Sequence, residues 1–161
     1  MPNEHDRRMI DFLWHHRVAS FRTLHRLFYN HYSVKTCYNR LYKFRKYNFL
    51  SVKVAGDFFG RYWTLGDRGL AFFANENGSA INVIGSRPQS FKHDHLSSVI
   101  LLGEWYLGKP PLVRLITEQM LLASTEDDDK FLKLENRRPD GLWEFKIGPE
   151  RKYVALEVEL H

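Results

Sequence analysis

The segment SVKTCYNRLYKFRKYNFL, residues 33–50, decides how this chain is interpreted. Apolar residues recur in it at three- and four-residue spacing, which predicts a helix with one buried face. That face is predicted to consist of Val34, Cys37, Leu41 and Phe44. Ser33 is a suitable N-cap, and Asn48 can end the helix because Asn tolerates the left-handed conformation of a helix stop.

The same segment carries five cationic side chains and no acid. With the apolar face turned inward, helical geometry leaves most of the polar side chains exposed, and Arg40 lies at the border of the two faces. Lysine and arginine contact phosphate oxygens, asparagine pairs with an adenine edge, and threonine contacts a thymine methyl group. We therefore predict that this helix binds double-stranded DNA. Its predicted contact residues are Lys35, Thr36, Asn39, Arg40, Tyr42, Lys43 and Lys46.

The elements around this helix have the order of a winged helix-turn-helix. Helices are predicted at about residues 4–16 and within 18–30, before the segment. After it, residues 49–55 and 61–65 alternate as strands do, and the Gly-flanked turn between them is the predicted wing. In a winged helix-turn-helix, the first two helices support the third, and the third enters the major groove. Arg61 is the predicted phosphate contact of the wing.

Charge is unevenly distributed along the 161 residues. Residues 1–78 hold 13 Lys and Arg against 6 Asp and Glu, hence a net charge of +7. Residues 79–161 hold the other 11 Lys and Arg against 13 Asp and Glu, hence −2. A basic front half joined to a mildly acidic back half indicates a polyanionic partner for the front.

The composition predicts a cytoplasmic protein with a hydrophobic core. Hydrophobic residues make up 43% of the chain, which excludes a disordered polymer. The single cysteine, Cys37, excludes an internal disulfide and a multi-cysteine zinc site, and its place in the apolar face predicts a core residue. The amino terminus lacks the pattern of a signal peptide, and no apolar run reaches membrane-spanning length, so we expect no membrane partner.

The back half is predicted to form a second, smaller unit. A helix is expected at 91–107, and strands are expected at 112–124, 140–148 and 152–160. The predicted fold class is therefore α+β. It comprises an N-terminal winged helix-turn-helix domain over residues 1–78 and a small C-terminal helix-plus-sheet unit over residues 90–161.

Several segments together resemble the replication-relaxation family, whose members belong to bacterial plasmids and mobile elements and carry an N-terminal winged helix. The likeness rests on DRRMIDFLWHHRVASFRTLHRLFY, SVKTCYNRLYKFRKYNFL, RYWTLGDRGLAFF, HDHL, RPDGLWEF and ALEVEL. It covers almost the whole chain. The resemblance implies DNA binding by a regulator or accessory factor in replication, relaxation or transfer, and it defines no reaction.

The order of the back half is also similar to the PD-(D/E)xK nuclease superfamily. In that pattern an Asp and a Glu on adjacent strands hold magnesium, and a lysine two residues after the Glu activates water. Glu159 stands where that lysine is expected, so Lys146 or Lys152 would have to replace it. If this alternative holds, Mg²⁺ is the cofactor. The catalytic residues are then Asp140, Glu157, Glu159 and Glu104.

Two other interpretations remain open. Glu157 and Glu159 can be the exposed residues of a half-buried edge strand, with Asp140 starting a turn. The whole chain can also be a protein-interaction module that does not bind DNA. Our main prediction is a DNA-binding protein, not an enzyme, with no metal, cofactor or small-molecule substrate. Its back half is expected to serve dimerisation or contact with a partner.

Overall fold

The fold is mixed α+β, as predicted, with six helices and two antiparallel three-stranded sheets among the described residues. The structure is a computed structural model that describes residues 2–55, 60–78, 90–106, 112–123 and 139–160. The chain divides into two compact units, Met1–Phe91 and Lys92–His161. Residues 79–89, which lie between the two predicted domains, are outside the described residues. No described helix is both long enough and apolar enough to cross a bilayer.

The first unit has the predicted order of three helices followed by two strands, and a fourth helix comes after them. Its helices are α1 (Glu4–His16), α2 (Phe21–Phe28), α3 (Val34–Lys46) and α4 (Asp67–Asn77). Its strands are β1 (Ala19–Ser20), β2 (Leu50–Ala55) and β3 (Gly60–Leu65), in the order β1-β3-β2. Sequence periodicity missed β1, because a strand of two residues is too short to show alternation. The winged helix-turn-helix assignment itself stays a prediction.

Side-chain caps fix where α1, α2 and α3 begin, and a left-handed residue follows the end of α3. Asn3 and Asp6 form a capping box at the start of α1. The Ser20 hydroxyl accepts the Thr23 amide hydrogen at 3.0 Å at the start of α2. Ser33 caps α3 as predicted. Asn48, with φ at 58°, adopts the predicted left-handed conformation just after α3.

The core of the first unit collects the apolar faces of its helices and the inner face of its sheet. Cys37, Leu41 and Phe44 are buried, so the predicted face of α3 is confirmed at these three positions. The prediction is wrong for Val34, whose side chain is 60% exposed. Residues 30–36 are all exposed, so the first turn of α3 projects from the unit and its apolar face has nothing to pack against there.

The second unit contains a helix, a three-stranded sheet and a short additional helix. Its elements are α5 (Phe91–Tyr106), β4 (Leu112–Thr117), α6 (Glu118–Ala123), β5 (Gly141–Ile147) and β6 (Glu150–Leu156). The sheet order is β4-β5-β6, with both pairs antiparallel.

Two sequence-based predictions for the second unit are wrong. Residues 112–124 are not one strand, because the strand ends at Thr117 and α6 follows. The EQMLLA segment consists of good helix formers, and the Thr117 hydroxyl accepts the Met120 amide hydrogen at 3.4 Å as a local helix start. β6 ends at Leu156, so Glu157 and Glu159 lie beyond it. The Val158 amide donates to the Asp140 carboxylate instead of continuing the strand ladder.

Candidate nucleic-acid interface

One face of α3 is polar, exposed and positively charged. The predicted contact residues Lys35, Thr36, Asn39, Tyr42, Lys43 and Lys46 are all exposed on it. Cys37, Leu41 and Phe44 fix the opposite face in the core. Lys35, Lys43 and Lys46 form no ion pair with any residue that the structure describes. Their charge is therefore available to an external anion.

Thr36 and Asn39, on this face, differ in whether their polar groups already form hydrogen bonds within the protein. The Thr36 hydroxyl lies 2.9 Å from the Ser33 hydroxyl, within the helix cap, so its methyl group is the part left for an outside contact. Asn39 makes no hydrogen bond with any described residue. Its amide retains both donor and acceptor capacity, which is what pairing with an adenine edge requires.

Arg40 lies at the edge of the face, as helical geometry predicts, and contacts a buried acid. Its Nε donates to Asp6 Oδ1 at 3.1 Å, and its Nη2 donates to Asp6 Oδ2. Asp6 is fully buried, and its Oδ1 also accepts the Tyr29 hydroxyl at 2.7 Å. This cluster joins α1, the end of α2 and α3, so Arg40 helps to set the orientation of α3. Its predicted contact with DNA stays a prediction.

The electrostatics of this cluster keep Asp6 ionised. Burial alone would raise the pKa of the Asp6 carboxyl. Hydrogen bonds from Arg40, the Asn3 backbone and Tyr29 outweigh burial and lower that pKa below its ordinary value. The hydrogen bond to Asp6 also raises the pKa of Arg40. Both shifts favour the charged form of each partner.

Tyr38 and Arg45 belong to the exposed surface of α3 but were absent from the predicted contacts. The Tyr38 and Tyr42 rings stack with centroids 5.7 Å apart, and Phe21 of α2 adjoins Tyr38 at 5.8 Å. Arg45 lies 5.2 Å from the Tyr42 ring centroid and donates to the Tyr42 hydroxyl at 3.1 Å. Helical geometry could have identified both as residues at the border of the buried face. Each lies about 100° or less around the helix from that face, and Arg40 lies at its other border.

The hairpin of β2 and β3 contributes the last predicted contact. Arg61 is exposed near the start of β3 and is paired in register with Val54 of β2. The predicted wing tip, Asp57 with Phe58 and Phe59, lies outside the described residues. The structure thus gives the position of Arg61 on the hairpin and leaves its predicted role untested.

Asp140, Glu157 and Glu159, the acids of the nuclease alternative whose side chains the structure describes, are not arranged as a metal-binding group. Asp140 precedes β5, where His93 Nε2 lies 3.0 Å from its Oδ1 and the Val158 amide donates to its Oδ2 at 2.7 Å. Glu157 and Glu159 are exposed beyond the end of β6. The side chain of Glu104, on α5, lies outside the described residues. The Asp140 carboxylate is therefore used in holding α5 and the chain after β6.

Lys146 and Lys152 cannot replace the missing lysine of the nuclease pattern. Their strand partners are Arg151 and Phe145, whereas Gly141 pairs with Leu156 beside Asp140. Four or more residues of extended strand separate them from Asp140, which is roughly 13 Å. Among the described residues, no group of three or more His, Cys, Asp or Glu side chains is arranged to hold a metal ion.

Comparison with known proteins adds no relative. No protein-family model, no curated protein and no solved structure matches this chain.

Proposed function

We propose that this chain binds double-stranded DNA, with α3 as the recognition helix of a winged helix-turn-helix and the β2–β3 hairpin as its wing. The observation that carries the proposal is the exposed face of α3. It holds Lys35, Lys43, Arg45 and Lys46 without an acid, on a helix whose other face is fixed in the core. Unpaired cations on a rigid helix are suited to a regular array of phosphates.

The dimensions of α3 suit the major groove of DNA. A helix with its side chains is about 10–12 Å wide, and the groove is about 12 Å wide. The twelve residues from Lys35 to Lys46 span about 16 Å along the axis. Asn39 lies between these two lysines, so its free amide would face the base edges while the cations contact the backbone on either side.

Preorganisation of the side chains supports the same function. Asp6 holds Arg40 and thereby the angle of α3, while Tyr42 holds Arg45 through its ring and its hydroxyl. Side chains that are ordered before binding lose less conformational entropy when the complex forms. The exposed Tyr38 and Tyr42 hydroxyls add further donors for phosphate oxygens.

We also propose a biological process for this DNA binding. The resemblance to the replication-relaxation family suggests a regulator or accessory factor in plasmid or mobile-element replication, relaxation or transfer. We propose further that the protein is cytoplasmic and forms a dimer through its second unit.

Charge reversal on α3 tests the proposal. The triple variant Lys35→Glu, Lys43→Glu and Lys46→Glu is expected to bind a mixed-sequence duplex about 100-fold or more weakly at low salt, because three phosphate contacts become repulsive. Fluorescence anisotropy of a labelled duplex measures the affinity.

The matched control carries the same charge change in the second unit, through Lys92→Glu, Lys146→Glu and Lys152→Glu. All three control residues are exposed. The control is expected to retain most of the affinity, with only the small loss that a lower net charge causes at long range. Equal losses in both variants would show that net charge, rather than α3, determines binding.

A further inference from the structure

A cleft of about 550 Å³ lies in the first unit, between the C-terminal part of α3 and the N-terminal part of α4. Its walls are largely aromatic and include Phe44, Tyr47, Phe49 and Phe72. Phe49 contacts Phe44 and Phe72 edge to face, with centroid distances of 5.3 Å and 5.9 Å. This volume is within the range of about 300–1,000 Å³ that is typical of small-molecule sites.

Three cations line the same cleft, and no acid does. They are Arg40, Lys43 and Arg68. The guanidinium groups of Arg40 and Arg68 each lie 5.0 Å from a ring centroid, those of Phe44 and Phe49 respectively. Lys43 and Arg68 form no ion pair with a described residue, and Arg40 uses only Nε and Nη2 to bind Asp6. Nη1 of Arg40 is left to donate to another acceptor.

We propose that this cleft binds a mononucleotide. The planar base would pack against the aromatic walls, and the phosphate would accept hydrogen bonds from Arg68, Lys43 and Arg40 Nη1. A purely apolar ligand would strip water from the cations without replacing its hydrogen bonds. An inorganic anion would leave the aromatic surface in water. A ligand that combines a planar ring with a phosphate satisfies both parts of the site.

This site overlaps the face proposed to bind DNA at Lys43 and Arg40, and it extends beyond that face to α4. Arg68 and Phe72 of α4 are not among the predicted DNA contacts, and only Lys43 and Arg40 are shared with that set. Nucleotide binding can therefore be measured without DNA, and it can succeed or fail independently of duplex binding.

Calorimetric titration of the full chain tests the inference with three probes at equal ionic strength: deoxyadenosine monophosphate, deoxyadenosine and inorganic phosphate. The monophosphate is expected to bind at least about tenfold more tightly than either of the others, because only it uses both the rings and the cations. Phosphate that binds as tightly as the monophosphate would overturn the inference, and so would the absence of binding by all three.

Two variants then locate the binding. Arg68→Ala is expected to weaken monophosphate binding about tenfold, and Phe72→Leu is expected to weaken it without affecting phosphate binding. The control, Arg8→Ala, removes an exposed cation that does not line the cleft and is expected to change nothing. Unchanged binding in Arg68→Ala would overturn the assignment to this cleft. Duplex affinity of Arg68→Ala is expected to be near that of the parent chain. A loss of duplex affinity as large as the loss of nucleotide affinity would contradict a role for Arg68 in the nucleotide site alone.

Discussion

Asp6 links α1 to Tyr29, which follows α2, and to Arg40 on α3. It is fully buried, and it accepts hydrogen bonds from Arg40, Tyr29 and the Asn3 amide. A buried carboxylate is tolerated only because these donors replace the water it has lost. Its two side-chain partners lie 23 and 34 residues away in the chain. A sequence pattern limited to neighbouring residues identifies Asp6 as an acid in a first helical turn and cannot predict this pairing.

Removal of the Asp6 charge is expected to destabilise the first unit. Asp6→Ala leaves the Tyr29 hydroxyl and part of the Arg40 guanidinium without an acceptor, which should lower the free energy of unfolding by about 2–4 kcal/mol. Urea denaturation followed by circular dichroism measures this change. Asp11→Ala, which removes an exposed acid from the same helix, should cost less than about 1 kcal/mol. Similar costs for the two variants would contradict the buried cluster.

His16 is expected to make the protein less stable in acid. Burial, with a smaller contribution from neighbouring His15, lowers the pKa of His16 to about 3. Below about pH 6.5 the unfolded chain binds a proton at this position and the folded chain does not, so the folded state loses up to about 1.4 kcal/mol per pH unit as pH falls from 6.5 towards 3. Stability from the lowered pKa of Asp6 is lost only at more acidic pH, below the ordinary value of 3.8.

Denaturation curves between pH 7 and pH 4 check this expectation. His16→Gln should flatten the dependence of the unfolding free energy on pH over that interval, even if it lowers stability at pH 7. His31→Gln, at an exposed position, should leave the slope as it is in the parent chain. A parent chain whose stability does not change between pH 6.5 and pH 4 would contradict a buried neutral His16.

At the scale of elements, the sequence predicted those features that local chemistry determines. The bounds of α1, the Ser33 cap and the left-handed Asn48 follow from periodicity and capping, and all three predictions are confirmed. Local periodicity failed where tertiary context decides. The apolar spacing of Val34 does not reveal that the first turn of α3 projects from the unit, and the apolar run after Thr117 fits a strand or a helix equally well.

Close packing of α4 against the chain after α3 gives a prediction at this scale. A Cβ added to Gly69 would lie 2.2 Å from the Phe49 carbonyl oxygen, which is a backbone atom and cannot simply rotate away. Helix propensity favours Gly69→Ala by up to about 1 kcal/mol, but the clash should outweigh it and leave a net loss of about 1–3 kcal/mol.

Thermal and urea unfolding of Gly69→Ala measure the net effect. Ala71→Gly, at an exposed position of the same helix, isolates helix propensity and should lower stability by about 1 kcal/mol. If Gly69→Ala raised stability, the gain from helix propensity would exceed the cost of the clash. In that case α4 could not approach Phe49 as closely as described.

At the scale of the whole molecule, the sequence predicted two halves of opposite charge, but it could not predict which side chains contact one another. The charges of +7 and −2 follow from composition alone. That Arg40 binds Asp6, and that Arg68 joins Lys43 beside an aromatic cleft, depends on contacts between distant elements. The nuclease pattern shows that a match in residue type does not predict position. Glu157 lies beyond the end of β6, and Asp140 contacts His93.

The salt dependence of duplex binding tests the central claim most directly. Each phosphate contact contributes about 0.9 to the slope of log affinity against log salt concentration. The neutral triple variant Lys35→Gln, Lys43→Gln and Lys46→Gln should therefore have a slope shallower than that of the parent chain by about 2.7. Lys92→Gln, Lys146→Gln and Lys152→Gln together should leave the slope almost unchanged. The claim that α3 binds the DNA backbone would be contradicted if the duplex affinity of the parent chain did not depend on salt. Equal slopes for the parent chain and the α3 variant would contradict it as well.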